Sequence, residues 1–148
     1  DGNLNNWWSE KDQEAFSKLT QQLINQYAAY EPLNGKNVNG KLTLGENIAD
    51  LSGLTIAYKA FNIASQDKPE VLVAGWNGDQ LFFVGWSRVW QRKYRDKEMI
   101  KRLLTDSHSP SKYRANGPVT NIDAFYKAFG VKPGDGLFKP EAERITIW

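Results

Sequence analysis

The sequence predicts a mainly α-helical protein with at most short strands. Three observations carry this. Large apolar residues recur at helical rather than alternating spacing in several stretches. Helix-start signals, a hydroxyl residue followed three positions later by an acid, stand before the first and the last of them. Strand-like runs are confined to "VLVA" and "RITIW", too short to build a sheet.

The elements follow in order. Ser9 with Asp12 opens the first helix, and Phe16, Leu19, Leu23, Tyr27 and Tyr30 continue it at helical spacing until Pro32 stops it. "NGKNVNGK" is turn-rich and holds at most a short hairpin. Residues 43–65 predict a second helix, and residues 66–78, with Pro69 and "WNG", a connection. "GDQLFFVGWSRVWQRKYRDK" predicts a third helix in which Leu81, Phe82, Val84, Trp86, Val89, Trp90 and Tyr94 are mostly core, and "EMIKRLLTD" a short fourth. "SHSPSKYRANGP", with two prolines and a glycine, predicts a loop in which Asn116, Gly117 and Pro118 shape a turn. "TNIDAFYKAFG" predicts a helix started by Thr120 and Asp123 and ended by Gly130. The remainder is irregular apart from a final strand at "RITIW".

No repeat or linker divides the chain, so residues 1–148 form one unit, long enough to bury a core. Its 41% hydrophobic and 24% charged residues are ordinary for a globular domain. A net charge of +2 gives no field that argues for nucleic acid. No run approaches the ~18 apolar residues of a membrane span. The absence of cysteine excludes disulfides and thiolate metal sites and leans toward a reducing compartment.

One stretch demands chemistry. In "LTLGENIADLSGLTIAYKAF", projection at ~100° per residue puts Asn47, Ser52, Thr55, Lys59, Asn62 and Ser65 on a polar face. The other face holds Ala49, Gly53, Leu54, Ala57, Ala60, Phe61 and Ala64, with Glu46 and Asp50 in its middle. The two acids stack at i,i+4 with no Lys or Arg on their side within a turn. A buried carboxylate needs a cation, whether a metal, a protonated His or an Arg from elsewhere. A helix N-terminus would also welcome Glu46, less so Asp50. The small residues would let another helix approach closely.

"NGKLTLGENIADLSGL" resembles the third-ligand segment of the neprilysin-like zinc metallopeptidases. "DGNLNNWWSEKD", "YAAYEPLNG", "DQLFFVGWSRVWQRKYR", "HSPSKYRANGPVTNIDAFYKAFGVKPGDGLF" and "ITIW" resemble that family in the same order, over essentially the whole chain. The resemblance implies the C-terminal helical part of a thermolysin-like zincin catalytic domain. It implies Glu46 as third ligand of one zinc ion and Asp50 as the acid that holds a zinc-ligating His. It further implies His108 as stabiliser of the transition state, Arg114 as holder of a substrate carbonyl, and Val89 and Trp90 as edges of the pocket for the side chain after the scissile bond, Trp90 being mainly structural. Read without the resemblance, His108 is a solvated loop histidine or a functional one.

The family's HExxH motif, source of two zinc ligands and the general base, does not occur in this chain. The resemblance thus implies part of an enzyme, with two ligands and an enclosing N-terminal region supplied from outside these residues. Its partners would be short peptide substrates and that missing part, with self-association of the isolated piece expected. The family's animal members carry a cysteine near the C-terminal end that this chain lacks. That points to a bacterial, disulfide-free branch, cytoplasmic or else cell-surface or secreted. The rival readings are a non-catalytic peptide- or partner-binding module and an inactive structural fragment.

Overall fold

The computed structural model describes residues 2–3, 5–69 and 71–147. Among these, helices make up all the regular structure: α1 (Glu10–Ala28), α2 (Leu44–Ser65), α3 (Gly78–Val89), α4 (Asp96–Thr105), α5 (Ser111–Val119) and α6 (Asp123–Phe129), then a single 3₁₀ turn at Glu141–Glu143. No strand forms among the described residues. Two isolated bridges, Leu33 with Lys36 and Val73 with Trp76, mark tight hairpin tips. The second of these tips is the "VLVA" run, turned through Ala74 and Gly75 at positive φ.

Helix α2 starts and stops where the sequence places it, and α1 starts as expected but ends at Ala28, before the expected Tyr30. Ser9 Oγ accepts the Asp12 amide at 3.1 Å and caps α1. Several expectations need correction. The third helix ends at Val89 instead of running on to residue 97. On a continued helix Arg88, Arg92 and Arg95 would stack at i,i+4 and i,i+3 and repel one another, and Tyr94 is drawn away to bond Ser111 Oγ at 2.6 Å. Within α3 the fully buried side chain is Phe83, whereas Val89 is 62% exposed.

The segment expected as a loop contains α5. Pro110 precedes its first turn, and Pro118 lies one residue from its end, so both prolines fall near its edges. Tertiary packing then selects the helix, because Ser111, Tyr113, Gly117, Pro118 and Val119 are buried. Thr120 does not cap α6. Its hydroxyl donates to the Gly117 carbonyl at 2.9 Å and closes α5 instead. α6 starts at Asp123 without a side-chain cap and ends, as expected, at Gly130 in the left-handed conformation. Finally, residues 144–147 form no strand. The Ile145 amide donates to Asn121 Oδ1 at 3.0 Å, and Ile145 and Ile147 are buried. Trp148, the last residue of the expected strand, lies outside the described residues.

The core joins Leu23 and Tyr27 of α1, Leu51 and Leu54 of α2, Phe83 of α3, Tyr113 and Val119 of α5, and the terminal Ile145. An aromatic cluster of Tyr58, Phe82, Phe83, Phe125 and Phe129 fills the end between α2, α3 and α6. Helix α2 has protein on one side only. Asn47, Asp50, Leu51 and Leu54 form its buried line, and Asn47 is completely buried, against its expected place on a polar face. Ala49, Gly53, Ile56, Ala57, Ala60, Ile63 and Ala64 form a smooth exposed face. A Cβ built on Gly53 meets nothing within 4 Å. The accessible surface of 10187 Å² stands well above the ~7,700 Å² that scaling gives a compact monomer of 16.8 kDa.

Candidate functional site

Glu46 and Asp50 point from the first two turns of α2 toward the residues that lead into α5. Packing of α5 on α2 brings Arg114 onto them, and the segment between α4 and α5 brings His108. One buried bond registers this segment on the helix. Asn47 Oδ1 accepts from Ser109 Oγ at 2.8 Å, while Asn47 Nδ2 donates to Thr43 Oγ1 at 2.9 Å. The buried amide thus has partners on both its oxygen and its nitrogen, and that explains its burial.

The cation required by Asp50 is Arg114. Its Nε and Nη2 donate to the two Asp50 carboxylate oxygens, each at 2.7 Å, a bidentate pair. Asp50 is 7% exposed. Burial pushes its carboxyl up from the usual range, against the opposing pull of Arg114. The hydrogen bonds to Asp50 raise the Arg114 guanidinium in turn, against its own desolvation. The guanidinium lies 4.1 Å over the Trp90 ring. The Trp90 Nε1 is buried without a hydrogen-bond partner, so this ring serves Arg114 with its face.

His108 reaches Glu46 from the other side, with Nε2 3.3 Å from Glu46 Oε2. Its Nδ1 lies 2.8 Å from Asp106 Oδ1, which also accepts the His108 backbone amide at 2.9 Å. Desolvation raises the Asp106 carboxyl, but the His108 bonds and the nearby Arg102 outweigh it and hold the group below the usual carboxylate range. Sequence reasoning missed Asp106, Asn47 and Ser109. Only the "DSH" spacing, where an Asp side chain can accept the amide two residues on, could have pointed to Asp106.

The structure therefore gathers Glu46, Asp50, His108, Arg114 and Trp90. Val89, next to Trp90 in the chain, is exposed at the end of α3. The three carboxylates differ in what they have left to offer. Asp50 is chelated by Arg114, and Asp106 has one oxygen on His108 and the other 2.7 Å from Arg102 Nη1. Glu46 is 40% exposed in its side chain and makes only the longer contacts, 3.3 Å to His108 and 3.8 Å to Arg114 Nη2. It is the carboxylate of the cluster that no short charge-assisted bond engages. Among the described residues, no group of three or more His, Cys, Asp or Glu side chains is placed to hold one. Chemically, the cluster offers one loosely engaged carboxylate flanked by an imidazole and a clamped guanidinium.

Comparison with known proteins identifies the family. The sequence model of peptidase family M13 matches residues 1–145. The chain is 38% identical over 154 residues to human endothelin-converting enzyme 1, covering 100% of this chain and 19% of that protein. It is 39% identical over 149 residues to a neutral endopeptidase of Lactococcus lactis, covering 100% and 22%. Among solved structures, the zinc metalloprotease Zmp1 of Mycobacterium tuberculosis, in complex with an inhibitor, superimposes with a TM-score of 0.95 at 43% identity, over 100% of this chain and 23% of that one. This chain thus spans about a fifth of the length of the relatives it matches.

Proposed function

The chain belongs to peptidase family M13, and from that premise we propose that it forms the part of a zinc metalloendopeptidase of short peptides that carries one metal ligand and the groups that hold the substrate. The convergence of His108 and Arg114 on the available Glu46 carboxylate carries this reading. Glu46 would hold zinc together with ligands from a segment beyond these residues, as the HExxH-dependent chemistry requires. Zinc, when bound, supplies Lewis-acid polarisation of the peptide carbonyl and acidifies water. His108 would donate from Nε2 to the oxygen on which negative charge develops. Arg114 has five N–H groups, two of them spent on Asp50. Its Nη1 amino group remains to donate to a substrate carbonyl, and Trp90 and Asp50 fix the plane in which it does so.

Asp50 has further lone pairs beyond the two that Arg114 occupies, enough to accept the ring N–H of a zinc-bound His on a facing helix. Val89 and Trp90 would border the pocket for the side chain after the scissile bond. A single ligand cannot hold a catalytic zinc, so the 148 residues alone should be inactive. The test is made in the full-length protein. Glu46→Ala should lose zinc, measured by elemental mass spectrometry, and peptide hydrolysis together. Full zinc content with full activity would refute the assignment.

A further inference from the structure

We propose that Arg102 is the positioning residue that fixes the His108 imidazole, acting through Asp106; this rests on the role given to His108 above. The imidazole side chain is 45% exposed and stands on an irregular segment, where nothing in the backbone alone fixes its direction. Asp106 supplies the direction by gripping Nδ1 and the backbone amide with one oxygen, Oδ1. A carboxylate held by one oxygen can still turn about its terminal torsion, which is broad and two-fold. Arg102 Nη1 takes the other oxygen at 2.7 Å and removes that freedom.

Arg102 is itself held. Its Nε donates to Glu98 Oε1 at 2.9 Å, and its guanidinium lies 5.2 Å over the Tyr94 ring. Glu98, Arg102 and Asp106 follow at i,i+4 spacing along α4 and its C-cap, so the helix aligns them in one row. Continued through His108, Glu46, Arg114 and Asp50, the contacts run from a half-exposed surface acid to a buried one. A half-exposed ion pair adds little to stability. The use of Arg102 is therefore orientation, and its loss should be read in turnover.

In the full-length enzyme, Arg102→Gln should lower kcat roughly fivefold, the scale of one orienting charge-assisted hydrogen bond at a half-exposed site, with KM and the unfolding midpoint nearly unchanged. Arg102→Lys should recover part of the loss, because it restores the charge without the fork. In a His108→Ala background, Arg102→Gln should cost nothing further. An unchanged kcat in Arg102→Gln, beside a large loss in His108→Ala, would overturn the proposal and leave the role of His108 intact. A fivefold loss persisting in the His108→Ala background would also overturn it, as the mark of a purely structural role. A His108→Ala enzyme with full kcat would overturn both readings together.

Discussion

At the scale of single residues, the sequence declared that Glu46 and Asp50 needed a cation, but not which one. The stacking was legible because i,i+4 spacing fixes two side chains on one helix. Arg114 was not, because its bond to Asp50 spans 64 positions and depends on how α5 lies on α2. The pair makes a stability prediction. Arg114→Leu strands a carboxylate that burial already disfavours, and the full-length protein should lose about 3 kcal/mol, read from urea unfolding. Replacing both Asp50 and Arg114 by leucine should cost less than the single change. The kinetic roles separate as well. His108→Ala should reduce kcat by about 10²–10³ with little change in KM, since its bond strengthens only in the transition state. Arg114→Ala should also weaken substrate and inhibitor binding. Pure KM effects from both would remove these roles.

At the scale of elements, α1, α2 and the end of α6 could be read directly, because caps, periodicity and a left-handed glycine are local signals. Helix α5 could not. Its Asn116, Gly117 and Pro118 favour a turn by local preference, and burial against α1 and α2 reversed that preference. Gly117 shows why this residue is needed there. A Cβ at Gly117 would lie 2.5 Å from the Tyr27 hydroxyl and 2.7 Å from its ring, and Tyr27 is wholly buried. Gly117→Ala should therefore destabilise the protein by about 2 kcal/mol through overpacking. Tyr27→Phe in the same protein should return only part of this, since the ring carbon stays in the way. Unfolding midpoints of the single and double variants check the claim.

The molecule as a whole carries a pH dependence. Burial raises the phenols of Tyr27, Tyr30 and Tyr113 above their ordinary value, and Tyr30 stacks on Tyr113 at 4.5 Å. Their protonated forms support the fold fully below the unfolded value of about 10, and that support is lost as the pH rises through and beyond it. Lys139, lowered by burial, acts with the opposite sign, but three phenols outweigh one amine. The urea midpoint should fall steeply from pH 9 to about 11, tracked by phenolate absorbance. The exposed face of α2 makes a second whole-molecule prediction. Ile56 and Ile63 are each more than half exposed, amid small residues that would accept a close neighbour. The 148 residues in isolation should associate as concentration rises in sedimentation, with weak hydrogen-exchange protection at residues 44–61. A monomer with those amides fully protected would contradict this.

The surplus surface has a thermal counterpart. Unfolding an ordinary domain raises the heat capacity because it wets apolar surface that the fold had kept dry. Here about 2,500 Å² is wet already, by comparison with a compact protein of the same mass. At typical apolar and polar coefficients, the melting of the free chain should show a heat-capacity step smaller by roughly 0.3 kcal/mol/K than its length predicts. A partner that docked on that surface would lower the heat capacity by about this amount from this chain and by a comparable amount from its own face. A scanning calorimeter, set against the value expected from length, would thus weigh the surface that this fold leaves wet.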